Sequence, residues 1–150
     1  MHVVVQEVAS RALHDIRRRV LRDNDPSINV ADPRDEAPKV IHLAASMDGR
    51  VVGSGSFYPS ESPLHDGSVT YQLRYLAVDE SLQRSGVGSA LMAKAEEILL
   101  RRGVETLWAN GRDTALDFYR QTGWIIVPDS AHLSPETNLP HHRIIRRLSA

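Results

Sequence analysis

The sequence predicts an α/β (α+β) domain, a mixed central sheet of six to seven strands flanked by helices. Three observations carry this. Met47-Asp48-Gly49-Arg50 separates two β-rich runs and joins them as a tight hairpin, with Asp-Gly where positive φ angles are needed. A strand, a glycine-bearing loop, a long helix and another strand follow one another from Val69 to Ala109, a unit that makes a parallel pair through a right-handed crossover. Along the whole chain the order reads β-α-loop-β-β-β-α-β-α-β-β, with apolar periodicity switching between two and 3.6 residues.

Taken in order, Val3 to Val8 is a short β-branched strand. Ser10 is placed to cap the helix that follows. Ala12, Leu13, Ile16, Val20 and Leu21 lie at helical spacing between Arg11 and Arg22. Asp23 to Lys39 is a long polar connection with Pro26, Pro33 and Pro38. It has room for a short helix at 32–36 and reads either as a substrate-side lid or as a passive surface loop. Val40–Ser46 and Val51–Tyr58 are the hairpin strands. Ser60 to Ser68 is a Pro/Ser/Gly-rich loop, and Val69 to Val78 is the central strand.

From Gly86 to Arg102 a helix turns Val87, Ala90, Leu91, Ala95, Ile98 and Leu99 inward, and Gly103 ends it. Val104–Ala109 is the next strand, and Thr114–Gln121 is a short helix stopped by Thr122-Gly123. Trp124–Val127 starts a further strand. Asp129 to Pro140 is a polar loop, and His142–Leu148 is the last strand.

Composition narrows the function. The 150 residues suit one domain, 1–150, and hydrophobic content of 41% with 25% charged residues is that of an ordinary soluble protein. A net charge of −1 gives no basic excess, so no nucleic-acid partner is expected. Arg17-Arg18-Arg19 and Arg146-Arg147 read as solvated faces. With no cysteine there is no disulfide, thiolate metal site or cysteine nucleophile. Seven histidines occur without a zinc-ligating spacing, so no metal is expected. No secretory leader or membrane-length apolar run is visible, which makes a cytoplasmic location with no membrane partner the expectation.

The chemistry centres on Gln83-Arg84-Ser85-Gly86-Val87-Gly88. Closely spaced glycines at a helix start let backbone N–H groups approach a phosphate, and the helix dipole favours its charge. A dinucleotide fingerprint would need a third glycine where Leu91 stands.

The hexapeptide resembles the acetyl-CoA signature, Gln/Arg-x-x-Gly-x-Gly/Ala, of the GCN5-related N-acetyltransferase (GNAT) superfamily. Leu76-Ala77-Val78-Asp79 is similar to the end of that family's fourth strand. A second block, from Ala115 to Trp124 and containing Phe118-Tyr119, resembles the family's Asn-x-x-Ala-x-x-Phe-Tyr-x-x-x-Gly-Phe motif. Arg112 occupies the place of the family's Asn, Asn110 lies two residues earlier, and Trp124 replaces the final Phe.

The resemblance implies the GNAT fold with splayed fourth and fifth strands, and acetyl-CoA as acyl donor. Gln83, Arg84, Ser85, Gly86, Val87, Gly88 and Ser89 would meet the pyrophosphate. Main-chain groups of Leu76, Ala77 and Val78 would pair with the pantetheine arm, the Val78 N–H would serve as oxyanion donor, and Asn110, Arg112 or Ala115 would flank the arm. Tyr119 falls on the family's catalytic tyrosine, suited to protonate the departing thiolate. For the acceptor side, Gln72 and Arg74 alternate onto one face of the central strand, and His141 and His142 are candidate bases beside an exposed-loop reading and a water chain to solvent. The acceptor is a small-molecule or protein amine, and the family favours a homodimer through the last strands. A non-catalytic acyl-CoA-binding sensor of the same fold is the alternative.

Overall fold

The structure is a computed structural model that describes residues 2–148. Its strands are β1 (Val4–Glu7), β2 (Ile41–Met47), β3 (Arg50–Ser60), β4 (Thr70–Val78), β5 (Thr106–Arg112), β6 (Ile125–Ile126), β7 (His132–Leu133) and β8 (Pro140–Arg147). Its α-helices are α1 (His14–Leu21), α2 (Val87–Arg101) and α3 (Leu116–Gln121). The strands follow the order β1-β2-β3-β4-β5-β8-β6, with β7 paired to β8, a mixed α/β arrangement. The chain divides into two units, Met1–Pro59 with Leu73–Leu99 and Ser60–Gln72 with Leu100–Ala150.

In the first unit β1 pairs antiparallel with β2, and β2 with β3. Asp48 (φ 51°) and Gly49 (φ 78°) both take the left-handed conformation that a two-residue hairpin turn requires, so Met47 and Arg50 face each other as the sequence predicts. Leu13 and Ile16 pack with Ala44 and Ala77 in a core cluster. Gly53 lets α2 lie close: a Cβ there would stand 2.7 Å from Val87 Cγ1. On α2 the buried residues are Val87, Leu91, Met92, Ala95 and Leu99. Met92 joins the expected face, while Ala90 and Ile98 stay half-exposed.

Two local expectations are corrected here. Ser10 does not cap the first helix. It opens a 3-10 turn, Ser10–Leu13, and its hydroxyl donates instead to Glu36 Oε1 at 2.6 Å, a charged and therefore stronger acceptor. The 23–39 connection has no helix at 32–36 and is neither a passive surface loop nor loosely held. It is made of turns, with Val30, Asp32 and Asp35 buried.

The second unit contains the start of β4, paired in parallel with β5 over Thr70–Gln72 and Thr106–Trp108. β5 pairs antiparallel with β8 along its whole length, and β8 carries β6 and β7. β7 lies inside the stretch expected to be a loop. Two residues are too few to show a period, and they become a strand only because His132 and Leu133 find His141 and Pro140. The last strand begins at Pro140, before the expected His142, which places both histidines in the ladder. Arg146 is half-buried and not a solvated cation: its Nη1 donates to Thr122 O at 2.5 Å and satisfies the carboxyl end of α3.

Candidate active site

The glycine loop sits in the first unit. β4 ends at Val78, and the Asp79 N–H donates to Val52 O at 2.9 Å. The Asp79 carboxylate, 5% exposed, takes Arg19 Nη1 at 2.5 Å and Arg50 Nη2 at 3.2 Å. This clamp fixes where the chain leaves the strand. A 3-10 turn at Glu80–Leu82 follows, then Arg84 (φ 66°) and Gly86 (φ 95°) in left-handed conformations, then α2. At Gly86 a Cβ would meet nothing within 4 Å, so glycine serves the backbone conformation there and not the space.

Within the loop, Gln83, Arg84, Ser85 and Ser89 are exposed, Gly88 is half-exposed and Val87 is core. The Ser85 N–H and hydroxyl both donate to Leu82 O, so Ser85 spends its donors inside the loop. Gln83 Nε2 donates to Val78 O at 3.3 Å, which engages that carbonyl from within the chain. Ala77 turns its side chain into the core with Leu13 and Ile16; Leu76 and Val78 are half-buried.

Arg74 and Tyr75 lie earlier on the same strand. Tyr75 has φ 59°, a strained value for an aromatic residue in a strand. Arg17 lies over its ring at 4.3 Å and Arg74 at 4.7 Å. Asp32 accepts from Tyr75 Oη (2.9 Å), Arg74 Nη1 (3.2 Å) and Arg34 Nε (3.1 Å). Burial raises the Asp32 carboxyl, but these bonds, with the Arg34 side chain first, outweigh it and hold it at about 2.

Behind them Arg17, 1% exposed, is no solvated residue. It grips Asp35 with both Nη atoms (2.9 and 3.3 Å) and also donates to Val30 O and Ser56 Oγ. Tyr58 Oη donates to Asp35 Oδ1 at 2.5 Å, and His42 bonds Ser56 and Asp35 O. Burial pushes Tyr58 up, helped by Asp35. Asp35 is held low despite burial because Arg17, the Asp32 N–H and Tyr58 all stabilise its anion.

The second unit holds Tyr119. Its ring is clamped edge-on by Phe118 and Trp124, each with centroids 5.4 Å away. Its floor is Gly111 of β5, where a Cβ would stand 3.2 Å from Tyr119 Cε2. The Tyr119 hydroxyl makes no hydrogen bond among the described residues, and burial pushes it up to about 12, with the Arg112 charge pulling the other way. It is therefore fully protonated at neutral pH.

In the same unit Asn110 is exposed, Arg112 and Ala115 are half-buried, and Gln72 is buried at the start of β4. His141 is buried; its Nδ1 bonds Leu139 O at 2.8 Å and its ring lies tilted beside that of His132, centroids 5.9 Å apart. His142 is half-buried with Nδ1 2.7 Å from Asp113 Oδ1. Neither is an exposed loop histidine.

Gly111 and Asp113 escaped the sequence reading. One acts by lacking a side chain and the other through a partner 29 residues away. Among the described residues there is no group of three or more metal-ligating side chains, and no helix is long and apolar enough to cross a membrane.

Comparison with known proteins bears on the family and the fold. Residues 7–124 match the acetyltransferase (GNAT) family. An uncharacterized N-acetyltransferase of Bacillus subtilis, YitI, is 30% identical over 120 residues, covering 80% of each protein. The fold is similar to that of Escherichia coli ElaA, with TM-score 0.76, 18% identity, and 97% of this chain and 99% of that one covered. It is also similar to an aminoglycoside 6'-N-acetyltransferase complexed with coenzyme A, with TM-score 0.74, 17% identity and 98% of each chain covered. With a glycine turn opening a helix after β4 and Phe118-Tyr119 on a short helix after β5, and with the match running from β1 to Trp124, the chain belongs to the acetyltransferase (GNAT) family.

Proposed function

We propose that the protein transfers an acetyl group from acetyl-CoA to an amine acceptor by direct attack in a ternary complex. The neutral amine attacks the thioester carbonyl carbon and a C–N bond forms. The C–S bond then breaks, the amine nitrogen passes its proton to solvent through a water chain, the CoA thiolate takes a proton from Tyr119, and the tyrosinate is reprotonated from solvent. The observation that carries this reading is Tyr119 itself: a clamped ring, a hydroxyl with no partner among the described residues, and a proton retained to about pH 12. A donor already bonded to backbone would have to break that bond before delivering a proton.

In this reading the loop from Gln83 to Ser89 takes the pyrophosphate on the N–H groups at the start of α2, with Arg84 adding charge. Leu76, Ala77 and Val78 offer main-chain partners to the pantetheine arm, and the Val78 N–H is the oxyanion donor. Asn110 and Ala115 flank the arm. Support comes from family membership and from the relative with coenzyme A bound.

The first test is calorimetric titration with acetyl-CoA, with CoA and NADH for comparison. Acetyl-CoA is expected to bind, and Gly86→Asp to weaken it by closing the left-handed turn to a bulky acid. Thiol release over an amine panel then separates a transferase from a sensor. Binding with no turnover of any amine favours the sensor, and absence of acetyl-CoA binding overturns both.

A further inference from the structure

Cross-strand partners in an antiparallel ladder point to the same face. On β5 and β8 the pairs Asn110–Arg143, Arg112–His141 and Trp108–Ile145 therefore set Trp108, Asn110, Arg112, His141 and Arg143 on one face. Arg143 lies over the Trp108 ring, 5.2 Å from its centroid, and Trp108 Nε1 is tied to Ser60 Oγ at 3.0 Å. Arg112 and Arg143 are diagonal neighbours, about 7–8 Å apart at Cα.

Both arginines are half-buried, and neither has a carboxylate partner among the described residues. Arg143 Nε is buried with no hydrogen-bond partner among the described residues. Arg17, Arg19, Arg50, Arg120 and Arg147, by contrast, each sit on a carboxylate. Two partly desolvated like charges on adjacent strands oppose folding unless an anion joins them. A guanidinium seated over an indole ring has lost part of its freedom, and its two-pronged donor set suits a carboxylate.

We propose that Arg112 and Arg143 form a carboxylate-binding subsite, and that the acceptor is an amine that also carries a carboxylate, of the amino-acid class. The assignment to the acceptor rests on the transferase reading. There the donor's phosphates belong to the Gly86 loop and its pantetheine arm is uncharged, so the anion comes from the other substrate. The acids of the 23–39 loop do not argue for a polycation, since Asp32 and Asp35 are already bonded to Arg17, Arg34 and Arg74.

The test compares each amino acid with its own carboxamide as acceptor, by thiol release with acetyl-CoA. The acids are expected to give kcat/KM at least about ten-fold higher for the preferred side chain. Arg143→Gln and Arg112→Gln should bring that ratio toward one, with Arg143→Lys keeping part of it. Equal rates for acid and amide, or a preference that survives in both Gln variants, overturns the proposal while turnover itself upholds the transferase reading. If Arg143→Gln instead loses CoA affinity with the acid-to-amide ratio intact, the anion is the donor's phosphate and the proposal fails.

A second measurement does not depend on turnover. N-acetyl amino acids and their carboxamides are titrated calorimetrically into the wild type and both Gln variants, whose folding is checked by thermal melting. Acid-selective binding lost in the variants upholds the subsite even where acetyl-CoA fails to bind. Binding of neither form overturns it.

Discussion

Tyr119 depends on a residue that contributes no side chain. The hydroxyl has to be held at one place, and the ring is fixed by Phe118, Trp124 and the bare backbone of Gly111. Tyr119→Phe keeps the packing and removes only the hydroxyl; under the proposed mechanism kcat is expected to fall by about 10²-fold or more while KM for acetyl-CoA moves far less. Gly111→Ala adds a methyl 3.2 Å from Tyr119 Cε2 and 3.1 Å from Ile144 Cδ1. Displacing the ring by even a fraction of an ångström should cost about ten-fold in kcat. The two effects share one cause, so Gly111→Ala should cost little further in the Tyr119→Phe background; additive losses in steady-state kinetics would contradict this. As the acid of the proposed mechanism, Tyr119 would work below its pKa, so its proton should not set an alkaline limb in the kcat profile below about pH 10.

At the scale of elements, what the sequence made legible was local. The Asp48-Gly49 hairpin, the turn at Gly86 and the inward stripe of α2 each depend on residues a few positions apart, and each is present in the structure, the stripe with Met92 in it and without Ala90 and Ile98. What stayed hidden was long-range. Arg17 sits in a run of three arginines and looks like surface, yet it is buried because Asp35, 18 residues on, and Ser56, 39 residues on, meet it there. The same holds for the 23–39 loop, whose turns are pinned by Arg17, Arg74 and Tyr75. On the candidate site, the glycine loop could be read from spacing, and Tyr119 from the resemblance of its segment to the family's motif. Gly111, Asp113 and the Arg143–Trp108 stack could not, since only strand register brings them into play. The pinned loop makes a stability prediction. Arg17→Met leaves Asp35 buried without its guanidinium and should cost about 3–5 kcal/mol in urea unfolding. Removing both charges with Arg17→Met and Asp35→Leu should cost clearly less than the sum of the single changes.

For the whole molecule, the perturbed groups bound the pH range in which the fold is stable. Asp32 is held at about 2 and Asp35 and Asp66 are also held low, by bonds that favour their anions. A carboxyl depressed in the folded state stabilises the fold above its unfolded pKa, near 4, and that contribution is lost as pH falls through the folded value. Stability should therefore drop between about pH 4 and pH 2, and Asp32 alone accounts for about 2 kcal/mol of the fall. Tyr58 and Tyr119 act at the other end. Burial raises both, so their contribution is complete below the unfolded value near 10 and is lost above it, with Tyr119 spent by about pH 12. Urea midpoints measured across pH are expected to form a plateau between these limits with shoulders on both sides. Asp32→Asn should lower the plateau and flatten the acid shoulder, because the variant has no carboxylate there to protonate. Tyr119→Phe should flatten the alkaline shoulder and leave the acid one in place. An acid shoulder of the same height in Asp32→Asn as in the wild type would show that the Asp32 contacts with Arg34, Arg74 and Tyr75 contribute no net stability.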